Sequence, residues 1–301
     1  MTTQMVNAGR TGAETNRAAR LGLRGTRAGR QFTAGPYTYL ILAITTIVAV
    51  FPLYYTMIIA SHTNHEMAQV PPPFLPNSSM FHNIRLAMHE QPLLKAVANS
   101  LIVSGCIAIG TVSFCTLSGF AFAKLRFRGS RTLLGLTIAT MAIPPQLGVI
   151  PLFLLIAKLH WVNHLQSVVL PTLVSAFGVF FMRQYLLNAV PTELLEAGWV
   201  DGASTFRIFR SIVMPIARPA MAVLGMLSFL ASWNDFFWPL IALTSRNPTV
   251  QVSLAGLGTG YIPQQAVIMG GTLLGTFPVL VVFALLGRQI VGGIMQGAVK
   301  G

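Results

Sequence analysis

Of the seven carboxylates in this 301-residue chain, Asp235 alone falls inside a long apolar stretch. An ionisable group there is costly enough to mark a functional site by default. With Asn234 beside it and Trp233 and Phe236 flanking, the position offers a carboxylate, an amide and two aromatic faces. That set suits a polyhydroxylated solute such as a sugar, whose hydroxyls need hydrogen-bond partners and whose C–H faces can lie on rings. The same residues could instead close a polar contact between helices, or with a partner subunit, and never touch solute. No second acid or histidine accompanies Asp235 in the apolar stretches, so a proton relay is not expected. Other chemistry is missing too: no Cys/His spacing resembles a metal site, and no nucleophile–base pair can be placed. The phosphate loop G-x-x-x-x-G-K-[ST] does not occur. The sequence therefore predicts no catalytic residue, no metal, no cofactor bound by this chain and no ATP hydrolysis by it.

A second polar island, Pro191–Pro215, reads Pro-Thr-Glu-Leu-Leu-Glu-Ala-Gly-Trp-Val-Asp-Gly-Ala-Ser-Thr-Phe-Arg-Ile-Phe-Arg-Ser-Ile-Val-Met-Pro between two apolar stretches. Thr192 can cap a short helix whose first turn holds Glu193, favourable at a positive helix end. Gly202 supplies the left-handed turn that stops it. A second helix starts near Asp201 or Ser204, with Phe206, Phe209 and Val213 on one face and Arg207 and Arg210 off it. Met214, preceding Pro215, is expected to leave the helical region and close the element. An exposed aromatic face needs cover, from a partner protein or from the chain's own cytoplasmic edge; the pattern fits both.

The elements that must position these residues are membrane helices. A chain 53% hydrophobic and 9% charged, with a mean hydropathy of +0.66, would aggregate in water. Six runs approach the 20 or so apolar residues a span needs: roughly Tyr37–Ala60, Val97–Ala123, Thr132–Ala157, Leu165–Leu187, Pro219–Leu243 and Val267–Val291. Sixteen of the 20 Lys and Arg fall in the N-terminal tail, the second connection, the Pro191–Pro215 island with its edges, and the C-terminal end. By the positive-inside rule these parts, and both termini, face the cytoplasm. Asp235 then lies about 24 Å above the cytoplasmic start of its span, at 1.5 Å per residue. The net charge of +13 follows from this topology and from anionic headgroups, so no nucleic-acid partner is expected.

The tail, residues 1–34, is rich in Arg, Gly, Thr and Ala without apolar periodicity, and reads as disordered. Residues 35–301 form the six-span domain. Cys106 and Cys115 lie nine positions apart, on opposite faces of one helix, and cannot pair within it. Prolines 144, 145, 151, 171, 239 and 278 fall within spans, where they free backbone groups that neighbours or water must satisfy; the Pro144–Pro151 cluster marks a bend. The long external connections are Ser61–Ala96 and residues 244–266.

The island resembles the coupling loop of bacterial ATP-driven (ABC) importer permeases, through Glu196-Ala197, Asp201-Gly202-Ala203, Ile212 and Pro215. Gly198 stands where that pattern usually has its second alanine. Pro144-Pro145, Ile150-Pro151-Leu152-Phe153, Gly178-Val179-Phe180, Arg183-Gln184, Ser232-Trp233-Asn234-Asp235-Phe236 and the ending Gly297-Ala298-Val299-Lys300-Gly301 are similar to the carbohydrate permeases of the maltose-permease type. The resemblance implies an all-α, six-span transmembrane domain of a type I importer in a bacterial cytoplasmic membrane. It implies a second homologous permease, two ATPase subunits carrying ATP and Mg, and an extracytoplasmic sugar-binding protein as partners. On this analogy Glu193, Glu196, Asp201, Phe206 and Phe209 meet the ATPase, and Ala197, Gly198, Gly202 and Ala203 allow close approach. Trp233, Asn234, Asp235 and Phe236 line the substrate pathway, and Gly258, Thr259, Gly260 and Tyr261 meet the binding protein. Two rivals stand beside this reading. A stand-alone secondary transporter would show internal repeats and paired intramembrane charges, and neither is evident. An ABC permease for a glycerol phosphoester would want intramembrane Arg or Lys, and none lies deep in a span.

Overall fold

The structure, a computed structural model, describes residues 35–259 and 263–298, with backbone only for 286 and 288–298. The expected basic tail, residues 1–34, lies outside the described residues, as do Gly260, Tyr261 and the last three residues. Every described element is helical. The chain divides into two compact units, Met1–Tyr54 and Tyr55–Gly301. The first contributes most of α1, Pro36–Ser61, and its Tyr37, Ile41 and Ile47 are exposed.

Four helical stretches are long and apolar enough to cross a membrane: α1, α4 (Leu93–Lys124), the continuous Thr205–Trp233, and the first part of α14 (Gln265–Ala298). Two bent pairs make up the six. The first pairs α5 (Ser130–Thr140) with Pro145–Lys158, a 3-10 turn at Pro145–Gly148 running into α6 (Val149–Lys158), with a bend of 93°. The second pairs α7 (Gln166–Thr172) with α8 (Ala176–Ala189), with a bend of 42°.

Three boundaries differ from the sequence expectation. The expected third span is two helices, because Pro145 confines Pro144 to an extended conformation, φ −59°, ψ 126°, and neither proline donates a backbone hydrogen bond. The fourth breaks after Pro171: Ser175 is extended and restarts the helix by accepting the Gly178 N–H at 2.9 Å. The fifth begins earlier than expected, because Met214 stays helical at φ −59°, ψ −46°. A π turn at Phe209–Val213 lies between α10 (Thr205–Ile208) and α11 (Met214–Trp233). Its wider ring relieves the clash Pro215 would make with the preceding turn.

The far end of the fifth span is also broken. Asn234, Asp235 and Phe236 separate α11 from α12 (Phe237–Ala242), and Trp238 Nε1 donates to the Ser167 carbonyl at 3.0 Å, fastening α12 to α7. The connections after the first and fifth spans hold helices of their own: α2 (Asn64–Met67), α3 (Met80–Glu90) and α13 (Val250–Leu257). Asn83 Nδ2 donates to the carbonyls of Ala60 and His62, both at 2.8 Å. The Val250 N–H donates to Ser100 Oγ at 2.8 Å, so a side chain of α4 caps α13. Glu66 accepts from the Thr63 N–H and from Asn77 Nδ2. The hydrogen bonds from Thr63, backbone first, hold its carboxyl below the ordinary value.

Within the second unit α4 runs through the middle, packed along α8 and α11. The main core joins Phe120, Met182, Leu186, Val213, Ala217 and Leu224. At Gly119 a Cβ would stand 2.8 Å from the Arg183 backbone nitrogen, so only glycine lets α4 and α8 approach this closely, as small residues do at membrane helix contacts.

Candidate functional site

Two constellations emerge, one between α4, α7, α8 and α11 and one at the edge of the bundle. The first is a cavity of about 580 Å³ whose polar lining is Thr111, Thr172, Ser175, Ser228, Ser232 and Asp235. The breaks in the fourth and fifth spans make it. Ser175 lies between α7 and α8, and Asp235 in the gap before α12, where the Phe237 and Trp238 N–H groups face its half-buried carboxylate. Ser228, Ser232 and Asp235 follow i, i+4, i+7, one face of α11 continued past its end. Ser232 meets Ser104 across the α4 contact at 3.1 Å. None of the lining residues is Lys or Arg.

Of the four pathway residues expected from sequence, Asp235 lines this cavity and the others do not. Trp233 is 2% exposed and stacks on Phe229 with ring centroids 5.6 Å apart. Asn234 turns its amide back to the Leu230 carbonyl at 2.9 Å. Phe236 is exposed and is not part of the cavity lining. The five hydroxyls escaped sequence reasoning, although the helical repeat through Ser228, Ser232 and Asp235 carried the signal.

The second constellation is the island. Its first helix, α9 (Thr192–Val200), has Pro191 rather than Thr192 at its cap position, because proline's fixed φ suits the entry and Thr192 already lies in the first turn. The helix ends in a Schellman motif: the Gly202 N–H donates to Trp199 O and the Ala203 N–H to Gly198 O, both at 3.0 Å, with Gly202 at φ 76°. Ser204 then caps α10, accepting the Arg207 N–H at 3.3 Å. Leu195 and Ile208 are buried and join the main core. A Cβ on Gly198 would stand 3.1 Å from Ile208, so the helices cross closely at this glycine.

The expected aromatic face divides. Phe209 and Val213 are buried, Phe209 against the Phe120 ring of α4 at 5.4 Å. The chain's own membrane domain therefore covers this half, and Phe209 is not available to a partner. Phe206 stays 69% exposed. Around it Glu193, Glu196, Ala197, Asp201 and Gly202 are exposed, together with Leu194, Trp199 and Val200, which sequence reasoning passed over. A groove of about 280 Å³ runs between the helices past Gly198, Asp201, Ala203 and Arg207. At the third expected position, Gly258 and Thr259 follow α13 and are exposed, while Gly260 and Tyr261 lie outside the described residues.

Comparison with known proteins supplies the context. Residues 115–291 match the family of binding-protein-dependent transport system inner membrane components. An arabinooligosaccharides transport system permease protein of Halalkalibacterium halodurans is 31% identical over 263 residues, 86% of this chain and 94% of the relative. An sn-glycerol-3-phosphate transport system permease protein of Salmonella typhi is 30% identical over 277 residues, 89% and 97% of the two chains. A lactose transport system permease protein of Rhizobium radiobacter is 30% identical over 263 residues, 87% and 95%. Among solved structures, a bacterial ABC transporter involved in the import of the acidic polysaccharide alginate has a chain that superposes with a TM-score of 0.73 at 22% identity. That match covers 87% of this chain and 98% of the other, and the fold is that of a type I ABC importer transmembrane domain. Glu196, Asp201 and Asp235 all fall within the matched region, and the chain belongs to the family of binding-protein-dependent transport system inner membrane components.

Proposed function

We propose that the chain is the permease subunit through which a neutral carbohydrate, an oligosaccharide or disaccharide, enters the cytoplasm, driven by ATP hydrolysis in separate subunits. The observation that carries this reading is the cavity at the broken fourth and fifth spans, whose polar lining, set among Ile107, Phe177 and Leu227, is five hydroxyls and a single carboxylate with no cation. Hydroxyls and a carboxylate exchange hydrogen bonds with sugar hydroxyls. A phosphoester in the same place would meet like charge at Asp235 and find no counter-ion. The similarity to a glycerol-3-phosphate permease favours that second solute, and the charge of the cavity weighs against it.

The α9–α10 knob serves as the docking element for an ATPase subunit. Its exposed Leu194, Trp199, Val200 and Phe206, ringed by Glu193, Glu196 and Asp201, make an apolar centre with a polar rim, the usual anatomy of a protein interface. Because the second helix of the knob continues through the π turn into α11, displacing the knob moves the helix that carries Ser228 and Ser232. Alternating access follows: ATP favours the closed state of its subunits, the knob shifts, and the cavity changes the side to which it opens. A second, homologous permease completes the cavity wall. An external binding protein delivers solute near Gly258 and Thr259. Both termini face the cytoplasm.

The test is ATP hydrolysis by the reconstituted complex against a panel of loaded binding protein, neutral sugars, uronates and glycerol phosphoesters. Stimulation by neutral sugars is expected. Stimulation by phosphoesters alone contradicts the carbohydrate reading and leaves the ATP-driven one standing.

A further inference from the structure

Where α4 ends and α5 begins, a second cavity of about 560 Å³ is lined by Arg126, Arg131 and Arg183 together with Phe122, Phe127 and Leu134. Three guanidiniums around one cavity repel one another unless an anion lies between them. Among the described residues none of the three forms an ion pair. Arg183 Nη1 reaches only the side chain of the adjacent Gln184, at 3.4 Å, and its Nε is buried without a partner. Buried donors without partners are rare, and such a group needs an acceptor that the chain does not supply. The backbone adds to the field. Gly129, at φ 81°, starts the 11-residue α5 with no side-chain cap, so the positive end of that helix faces the same corner.

The apolar lining indicates what carries the anion. The Phe122 and Phe127 rings lie 5.8 Å apart on one wall, and Leu133 and Leu136 of α5 are exposed just beyond. A ligand with a phosphate at one end and hydrocarbon at the other satisfies both halves. Guanidinium forks match phosphate oxygens in geometry as well as charge.

We propose that Arg126, Arg131 and Arg183 form a binding site for a phosphate group, occupied in the membrane by the headgroup of an anionic phospholipid. Such a lipid fastens the α4–α5 corner to α8, the helix that leads through Pro191 into the knob. The site is independent of the solute carried.

The test is native mass spectrometry of the intact complex, released from lipid discs containing phosphatidylglycerol or phosphatidylcholine, with and without millimolar inorganic phosphate. The wild type is expected to retain one phosphatidylglycerol per chain and to hold phosphatidylcholine weakly. The Arg126→Gln/Arg131→Gln double variant alters only exposed side chains. It is expected to retain phosphatidylglycerol about 25-fold less well, at about fivefold per cation near a membrane surface. Arg128→Gln, an exposed neighbour outside the cavity lining, is expected to match the wild type. Displacement of the lipid by inorganic phosphate confirms that the phosphate group is what the arginines hold and makes free phosphate a competing source. Three outcomes overturn the proposal: equal retention by the double variant, equal loss in Arg128→Gln, or a double variant that keeps its lipid and sheds a protein subunit, which would make the cluster a protein contact.

Discussion

Replacing Gly202 by alanine isolates one physical quantity, because the residue sits at φ 76° and nothing lies within 4 Å of where a Cβ would be. No steric clash is introduced. The cost is that of holding a side chain in the left-handed region, about 1–2 kcal/mol. The knob has little to set against it: α9 buries one side chain fully, Leu195, worth about 1.5–3 kcal/mol. A penalty of this size shifts the balance between formed and broken Schellman motif roughly 5- to 30-fold. The spans of the second unit hold together through their own packing, so insertion and assembly are expected to be unchanged. Two measurements read the effect in the reconstituted complex: hydrogen exchange at the Gly202 and Ala203 amides, expected to accelerate by that factor, and solute-stimulated ATP hydrolysis, expected to fall. Asparagine tolerates the left-handed region, so Gly202→Asn is expected to recover most of both. If Gly202→Ala behaves as wild type, the motif does not hold the knob. If alanine and asparagine fail equally, the position matters for space beside a partner and not for its backbone angle.

Further outcomes follow from the same structure. Leu195→Ala removes the buried side chain by which α9 joins the main core and is expected to cost about 2–5 kcal/mol locally, seen as faster exchange throughout α9 with expression unaltered. Asp235→Asn keeps hydrogen bonding and removes charge, so uptake of a neutral sugar is expected to persist at reduced rate. Asp235→Lys is expected to abolish uptake, and unimpaired uptake by the lysine variant would place Asp235 outside the pathway. Ser100→Ala leaves the buried Val250 N–H unsatisfied, at about 1–3 kcal/mol, and is expected to loosen α13 first. Glu66 titrates below the ordinary carboxylate value, so its cap on α2 is fully present above that value. The cap loosens as pH falls through the lowered one, which amide exchange at Thr63 and Glu66 measures.

Hydropathy carried the number and order of the spans, since 20 apolar residues in a row have few other uses. It could not show where spans break. Pro144-Pro145 announced a bend but not its 93°, because direction depends on what each half packs against. The 42° break after Pro171 needed Ser175 to be read as a helix cap, a signal easily lost inside an apolar run. Pro215 was misread for the opposite reason: proline usually ends a helix, and the π turn that accommodates it here has no sequence signature. The knob was legible from Gly202 and its polar residues. Which aromatic faced outward was not, because Phe206 and Phe209 share a helical face and only the position of Phe120 decides between them. The cavity hydroxyls were hidden for a related reason, since Ser and Thr in membrane helices often bond to their own backbone, as Thr172 does here.

The central claim is that force enters through the knob from a separate ATP-hydrolysing subunit. Val200 is 88% exposed on it, and Cys106 is the exposed native thiol among the described residues. In a Cys106→Ser background, Val200→Cys carrying a short thiol-reactive photocrosslinker tests the claim most directly, in native membranes with and without ATP. The account predicts an adduct with an ATPase subunit whose yield changes when nucleotide is added. An adduct formed only with an extracytoplasmic protein, or no adduct with any nucleotide-binding subunit in a complex that still transports, would contradict it.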